Sequence, residues 1–383
     1  MKKKKALLIM LPLFVVVLFA ACSAAVAPAV TVESAMKMGI WDYVAIPLGW
    51  IMKYCYLFAN DVLRLPLAYV FALFLFTLIT KILLFPLSIK QQRSTAMAAA
   101  YKPMIDEINK KYANDKQKQQ EELQKMQTEY GYNPAAGCLP LLIQFPIIFG
   151  LLRVIYKPLT HMISIPKELI TKILEITLNI PGVEVKSAYF LENTAIQQIK
   201  TNIGAFSALT SNPEYASYID KITNLDMSIG SINLWENPVL GWSLTLIVPL
   251  FSIVTMLLST LISMKKSGSA ETGGASGKGM MIFSALLFGV FSFTYPMGFS
   301  LYWGFQNIIL IGQSFILYKI CNPEKLRAEA IAAVAAKKKE KKAVKTVKVK
   351  AEDGSLTEKK VTGMELDKLR LQKARELDNE RYN

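Results

Sequence analysis

A lysine in the middle of an apolar helix is the residue of this sequence best placed to do chemistry, and the chemistry would be electrostatic. Lys81 lies in the apolar run 66–89, one helical turn after Thr77 and about 13 Å along the axis from Lys90. Placing Lys at the centre of a membrane helix costs about 2.5 to 3.5 kcal/mol, so such a cation is rarely kept without use. Its long stem can snorkel to the headgroups; together with Thr77 and Thr80 it reads instead as a polar surface that attracts anionic segments. Gln144 falls inside the run 139–156, and Trp303, Asn307 and Ser314 share one face of 299–319 at offsets of four and eleven, near Gln306 and Gln313. Buried in hydrocarbon, such groups turn toward protein or a wet cavity, as groove lining or as hydrogen-bonding glue between helices.

Covalent chemistry finds little to work with. The apolar runs contain no carboxylate, which removes an aspartyl protease and a proton relay built on acids. GGASGK at 273–278 is too short for a phosphate loop, is followed by Gly279 where Ser or Thr is needed, and has no strand before it. His161 is the single histidine, and Cys22, Cys55, Cys138 and Cys321 have neither paired nor metal-like spacing. No metal site, cofactor or histidine-based centre is expected, and the chain reads as a non-enzyme.

The elements that must position these residues are membrane helices. Hydrophobic residues make up 52% of the 383, and they come in long runs. Five spans are predicted, at 66–89, 139–156, 239–264, 280–296 and 299–319. The second and fourth are short for a hydrocarbon core about 30 Å thick, which implies local thinning or tilt. Basic residues set the orientation. The loop 90–137 carries eight Lys or Arg, the loop 265–279 three and the tail from 322 seventeen, whereas 157–240 has six basic against eight acidic residues. The first three lie on the cytoplasmic side and the last outside, so the mature N-terminus is outside and the C-terminus inside.

Flanking segments have their own signatures. Residues 1–22 read as a lipoprotein-like signal, with Lys2 to Lys5 as the charged region and Cys22 as the lipidated residue of a lipobox. Within the extracytoplasmic segment 23–65, Trp41, Tyr43, Trp50, Tyr54 and Tyr56 mark an interfacial helix interrupted by Pro47. Tyr101, Met104, Ile105, Ile108 and Tyr112 share one helix face, and Leu123, Met126 and Tyr130 repeat the pattern after Asn114 and Asp115; the stretch 91–132 is a cytoplasmic helical hairpin. Within the basic tail 321–383, the stretch 337–350 holds eight lysines and one glutamate with too few large apolar residues for a core and is expected to be disordered or transiently helical, with charge suited to anionic lipid or ribosomal RNA.

Four stretches carry a resemblance: WDYVAIPLGWIMKYCYLF at 41–58, FTLITKILLFPLSIKQQ at 76–92, GYNPAAGCLPLLIQFPIIFGL at 131–151 and YPMGFSLYWGFQNI at 295–308. In order and spacing the chain resembles the YidC family of the Oxa superfamily, and its lipoprotein-like signal resembles the Gram-positive branch. The resemblance implies an all-α membrane protein whose five transmembrane helices form a polar groove in the 66–320 core. That groove is open to the cytoplasm and to lipid and closed outside. In the family an arginine gives the groove its charge, and Lys81 occupies that position here. Thr77, Gln144, Tyr302 and Trp303 match groove-side positions. The implied activity is insertion of nascent membrane proteins into a plasma membrane, with the Sec translocon, the signal-recognition machinery and the ribosome as expected partners. The outer region 157–240 is longer than the family pattern. Two other readings compete, a small-solute transporter or channel and an assembly scaffold or membrane chaperone; the absence of an inverted repeat argues against transport.

Overall fold

The computed structural model describes residues 30–130, 139–239, 241–267, 288–320, 322–342, 344–350, 356–362 and 371, and it divides into two units. The first unit comprises residues 1–91 and 137–320, the second residues 92–136 and 321–383. The signal segment with Cys22 lies outside the described residues, as do Cys138, Cys321 and the first half of the predicted fourth span.

In the first unit a short helix α1 (Val32–Met36) leads into α2 (Ile40–Leu57). Asp42, Ala45, Gly49, Met52 and Cys55 recur every three or four residues and form the buried face of α2, while Tyr43, Trp50 and Tyr54 are exposed on the other. Small residues on the inner face let the backbones approach closely. A Cβ on Gly49 would collide with the carbonyl of His161, and one on Gly150 would meet the Leu48 side chain. Pro47 does not interrupt α2 as expected from the sequence, because it lies on the exposed face, away from the core contacts.

The predicted first span is two helices, not one. α3 (Ala68–Leu83) ends at Leu84, and the chain turns by 56° into the first turns of α4 (Phe85–Lys111). Pro86 lacks an N–H to continue the ladder of α3, so it suits the first turn of a new helix. α6 (Leu139–Tyr156) matches the predicted second span and carries on through a wider turn at Leu159–Ile163. The third span begins later than predicted: a turn at Leu244–Leu246, capped by Ser243, opens α11 (Ile247–Ser267). Residues 288–294 are helical, and α12 (Met297–Ile320) follows after Pro296.

The long region between α6 and α11 folds as a helical cap. It consists of α7 (Lys167–Leu178), α8 (Leu191–Thr201), the short α9 (Ser207–Thr210), α10 (Pro213–Asn224) and a ribbon of β1 (Ser228–Ile229) and β2 (Ile232–Asn233). The ribbon pairs Ser228 with Asn233 and Ile229 with Ile232, and Gly230 takes the left-handed conformation its two-residue turn requires. Leu169, Ile170, Ile173 and Leu174 of α7 pack with Leu191, Ala195 and Ile199 of α8 and Ile219 and Ile222 of α10. Their core is continuous with that of the bundle. Two backbone bonds close the joint, from Met297 N–H to the Glu236 carbonyl at 2.8 Å and from Gly298 N–H to the Leu234 carbonyl.

In the second unit the later turns of α4 and helix α5 (Lys116–Tyr130) bury Tyr101 and Met126 together, with Met104, Ile105 and Ile108 packed around them. Asp115 begins α5 by accepting from Lys118 N–H at 3.0 Å. Of the stretch 337–350, expected to be disordered or transiently helical, 337–342 ends a helix and 344–350 forms a strand. α13 (Pro323–Lys342) starts on an Asn322 cap, and β3 (Val344–Lys350) pairs antiparallel with β4 (Leu356–Thr362). Alanine favours the helix, and the Val/Thr alternation of VKTVKVK favours a strand; neither needs a large core to form. The two ribbons are the only departures from helix among the described elements.

Candidate functional site

α12 is the axis of the bundle. Every residue from Met297 to Gly304 is buried, so this half of the helix is surrounded on all sides. Beyond Asn307 the pattern becomes one-sided: Gln313 and Leu317 remain buried while Ile308, Phe315, Ile316 and Ile320 are exposed. α12 is therefore enclosed over its cap-end half and exposed on one side beyond it.

Two polar clusters lie on α12. Gln144 of α6 donates through Nε2 to Tyr302 Oη at 2.7 Å and to Gln306 Oε1 at 3.1 Å. Tyr302 also packs against Phe76 of α3 and Phe299, which brings three helices to one polar knot. The second cluster faces α11 and residues 288–294. Ser259 donates to Asn307 Oδ1 at 3.1 Å, and Asn307 Nδ2 donates to its own helix at the Trp303 carbonyl. Ser300 donates to the Ser292 carbonyl at 3.0 Å, beside Ser252. Trp303 stacks on Phe288 with ring centroids 4.3 Å apart, and its Nε1 is buried without a partner among the described residues, as is Gln313 Oε1.

The predicted residues thus fall into three groups. Gln144 and Tyr302 are hydrogen-bonded to each other; Trp303 and Asn307 belong to the second cluster; Thr77 and Lys81 bond to neither. Thr77 is fully buried and donates to the Leu73 carbonyl of its own helix, and Thr80 donates to that of Thr77. Lys81 is half-buried near the end of α3 and has no hydrogen bond or ion pair with a described residue. No anion stands beside it among the described residues.

Sequence reasoning missed a third set of charges, at the cap end. Arg153, Lys157 and His161 stand four residues apart on the end of α6 and its continuation, all turned toward Asp42 of α2. His161 Nε2 is 3.0 Å and Lys157 Nζ 3.4 Å from Asp42 Oδ1, and Arg153 Nε is 3.7 Å from Oδ2, which also accepts from Gly39 N–H at 2.7 Å. Burial alone would raise the Asp42 pKa. The hydrogen bonds of His161 and Gly39 and the charges of Lys157 and Arg153 outweigh it and hold the carboxyl below the usual carboxylate range. Nearby, Glu192 of α8 accepts from Leu159 N–H, Thr160 N–H and the Thr160 hydroxyl. Its burial pushes that carboxyl up, against those bonds and the charges of Lys157 and His161. The signal was in the sequence: three basic residues at a spacing of four need an anion, and Asp42 is the single carboxylate of the aromatic segment.

Among the described residues one helix, Leu244–Ser263, is long and apolar enough to cross a membrane, and its neighbours turn polar side chains inward, in keeping with the class of helical integral membrane proteins. Within that class the match is specific. A family model described as 60Kd inner membrane protein matches residues 61–325, and the chain belongs to that family. It is 29% identical over 273 residues to the membrane protein insertase YidC of Clostridium perfringens, covering 70% of this chain and 85% of that one. It is 27% identical over 251 residues to the protein of the same name from Treponema denticola, covering 65% of this chain and 34% of that one. The inner membrane ALBINO3-like protein 2 of Chlamydomonas reinhardtii is 26% identical over 311 residues, covering 79% and 60%. The chain therefore spans most of the clostridial relative and less than two thirds of the other two.

Proposed function

We propose that this chain inserts nascent membrane proteins into the bilayer by drawing their polar ends into a cationic groove, with Lys81 as its charge. The observation that carries the reading is Lys81 itself, half-buried with no counter-ion among the described residues. Thr77, Gln144, Tyr302, Trp303 and Asn307 line the groove in this reading, and the buried hydrogen bonds on α12 support it. Five spans, with the cap outside and the tail inside, follow from the count of basic residues in the loops. The exposure of α12 beyond Asn307 supports an opening on the cytoplasmic side, and the buried run at the cap end supports closure outside. Cys22 would anchor the mature N-terminus to the outer leaflet by its lipid.

The physical work is lowering a desolvation barrier. A polar or acidic end must cross part of the hydrocarbon, and a wet cationic groove in a thinned leaflet shortens that path. The apolar segment then moves sideways into lipid, driven by its own transfer free energy and aided by the membrane potential. No bond is made or broken and no cofactor enters. The basic loop 91–132 and the tail offer surfaces for the ribosome, the signal-recognition machinery or the Sec translocon.

Client insertion in cells depleted of the native protein tests the reading. Lys81→Arg should retain activity, Lys81→Ala should impair clients with acidic outer segments more than neutral ones, and Lys81→Glu should impair them most. Equal insertion of acidic clients by wild type and Lys81→Glu, at matched protein levels, would refute a cationic groove.

A further inference from the structure

We propose that Asp42 is a positioning residue for insertion: it pins α2 across the cap end of the bundle and keeps that end shut. The proposal rests on the groove reading above, since a groove loaded from one side needs a seal on the other.

The geometry singles out this carboxylate. Asp42 is wholly buried, yet it gathers Arg153, Lys157 and His161 from a single helical stretch, together with the N–H of Gly39. Lys157 then reaches past it to donate to the Lys37 carbonyl at 3.0 Å, so the chain before α2 is tied at the same point. Arg153 lies over the Tyr189 ring at 4.9 Å, and Glu192 bonds the turn that carries His161; this links the cap to the joint. One acidic side chain therefore joins α2, the end of α6 and, through its partners, the cap.

The rest of the α2 contact does not fix position in this way. The buried face of α2 mixes small residues, Ala45, Gly49 and Cys55, with Met52; Trp41 stacks on Phe149 at its start, while Tyr43, Trp50 and Tyr54 point outward. Smooth small-residue faces allow close approach but specify register weakly; a buried charge with directional partners specifies it strongly. Without the carboxylate, two or three buried basic groups would face one another with no anion between them, and α2 would be driven off the bundle rather than merely loosened.

Cys55 is a natural reporter, being buried on the same face of α2. The test uses the full-length protein in liposomes. Membrane-impermeant thiol reagent is added on the cap side, labelling of the Cys55 peptide is followed by mass spectrometry, and decay of an imposed potassium diffusion potential is recorded. Asp42→Asn, which keeps the shape and removes the charge, should label at least about tenfold faster than wild type and leak ions. Asp42→Glu should restore slow labelling and a tight membrane. Arg153→Met, a milder change, should fall between wild type and Asn, and it carries the test if Asp42→Asn does not fold. The proposal is overturned if folded Asp42→Asn labels and leaks like wild type, if Asp42→Asn and Asp42→Glu open equally, or if Arg153→Met, where it stands in, is as tight as wild type. These readouts do not need client insertion. A wild type that fails to insert clients while Asp42→Asn still opens would count against the groove reading and leave the seal standing.

Discussion

The two ends of the bundle treat buried charge in opposite ways. At the cap end Asp42 is enclosed by three basic side chains and a backbone N–H, whereas at the other end Lys81 is half-buried with no counter-ion among the described residues. A satisfied charge fixes structure, and in the proposed groove an unsatisfied one is held ready for a ligand. Burying Lys81 with no partner among the described residues costs stability, the arrangement expected where a charge is kept for use.

This contrast breaks first under substitution at the cap end. Asp42→Ala should destabilise the protein by about 3 to 5 kcal/mol, because it strands buried cations, whereas Lys81→Ala should change stability little. Thermal unfolding in detergent micelles reads both; equal losses would erase the distinction. Next in size is Gly49→Ala, for which about 1 to 3 kcal/mol is expected because the new methyl meets the His161 backbone rather than a side chain able to move. Tyr302→Phe removes one hydrogen bond to Gln144 and should cost about 1 kcal/mol or less, while client insertion falls further than that loss explains.

The smallest effect is a pH slope, and its sign separates the two cap-end acids. Asp42, held below the usual range, contributes stability that is fully present above its unfolded pKa and is lost only as pH falls through its lower folded value. Glu192, pushed up, contributes below its unfolded pKa and loses that contribution as pH rises through its folded value. Stability should therefore decline modestly as pH rises past the ordinary carboxylate range, and Glu192→Gln should flatten the decline. A variant with the wild-type slope would assign that dependence elsewhere.

Much of the bundle was legible because a membrane helix announces itself by composition over a local window. α6 and α12 fall where their apolar runs end, and Gln144, Tyr302, Trp303 and Asn307 all turn inward. The bend at Leu84 was not legible as hydropathy, since apolar residues continue through it; Pro86 was the mark. The cap was hidden for the opposite reason. α7 and α10 are amphipathic, and what they bury against is distant in sequence. Asp42 and His161 are 119 residues apart, so their pairing is a property of the tertiary fold alone. The lysine-rich stretch 337–350 reads by composition as disordered or transiently helical, yet alternation of Val and Thr places 344–350 in a ribbon.

The cap joint also sets a timetable. The carbonyls of Leu234 and Glu236 accept their backbone bonds from Gly298 and Met297, at the start of α12. At bacterial rates of synthesis the intervening stretch of about 60 residues takes roughly 3 to 12 seconds to emerge. During that interval the cap lacks its final hydrogen bonds. The chain thus passes through a vulnerable interval in which the cap is more open to proteolysis than in the finished fold.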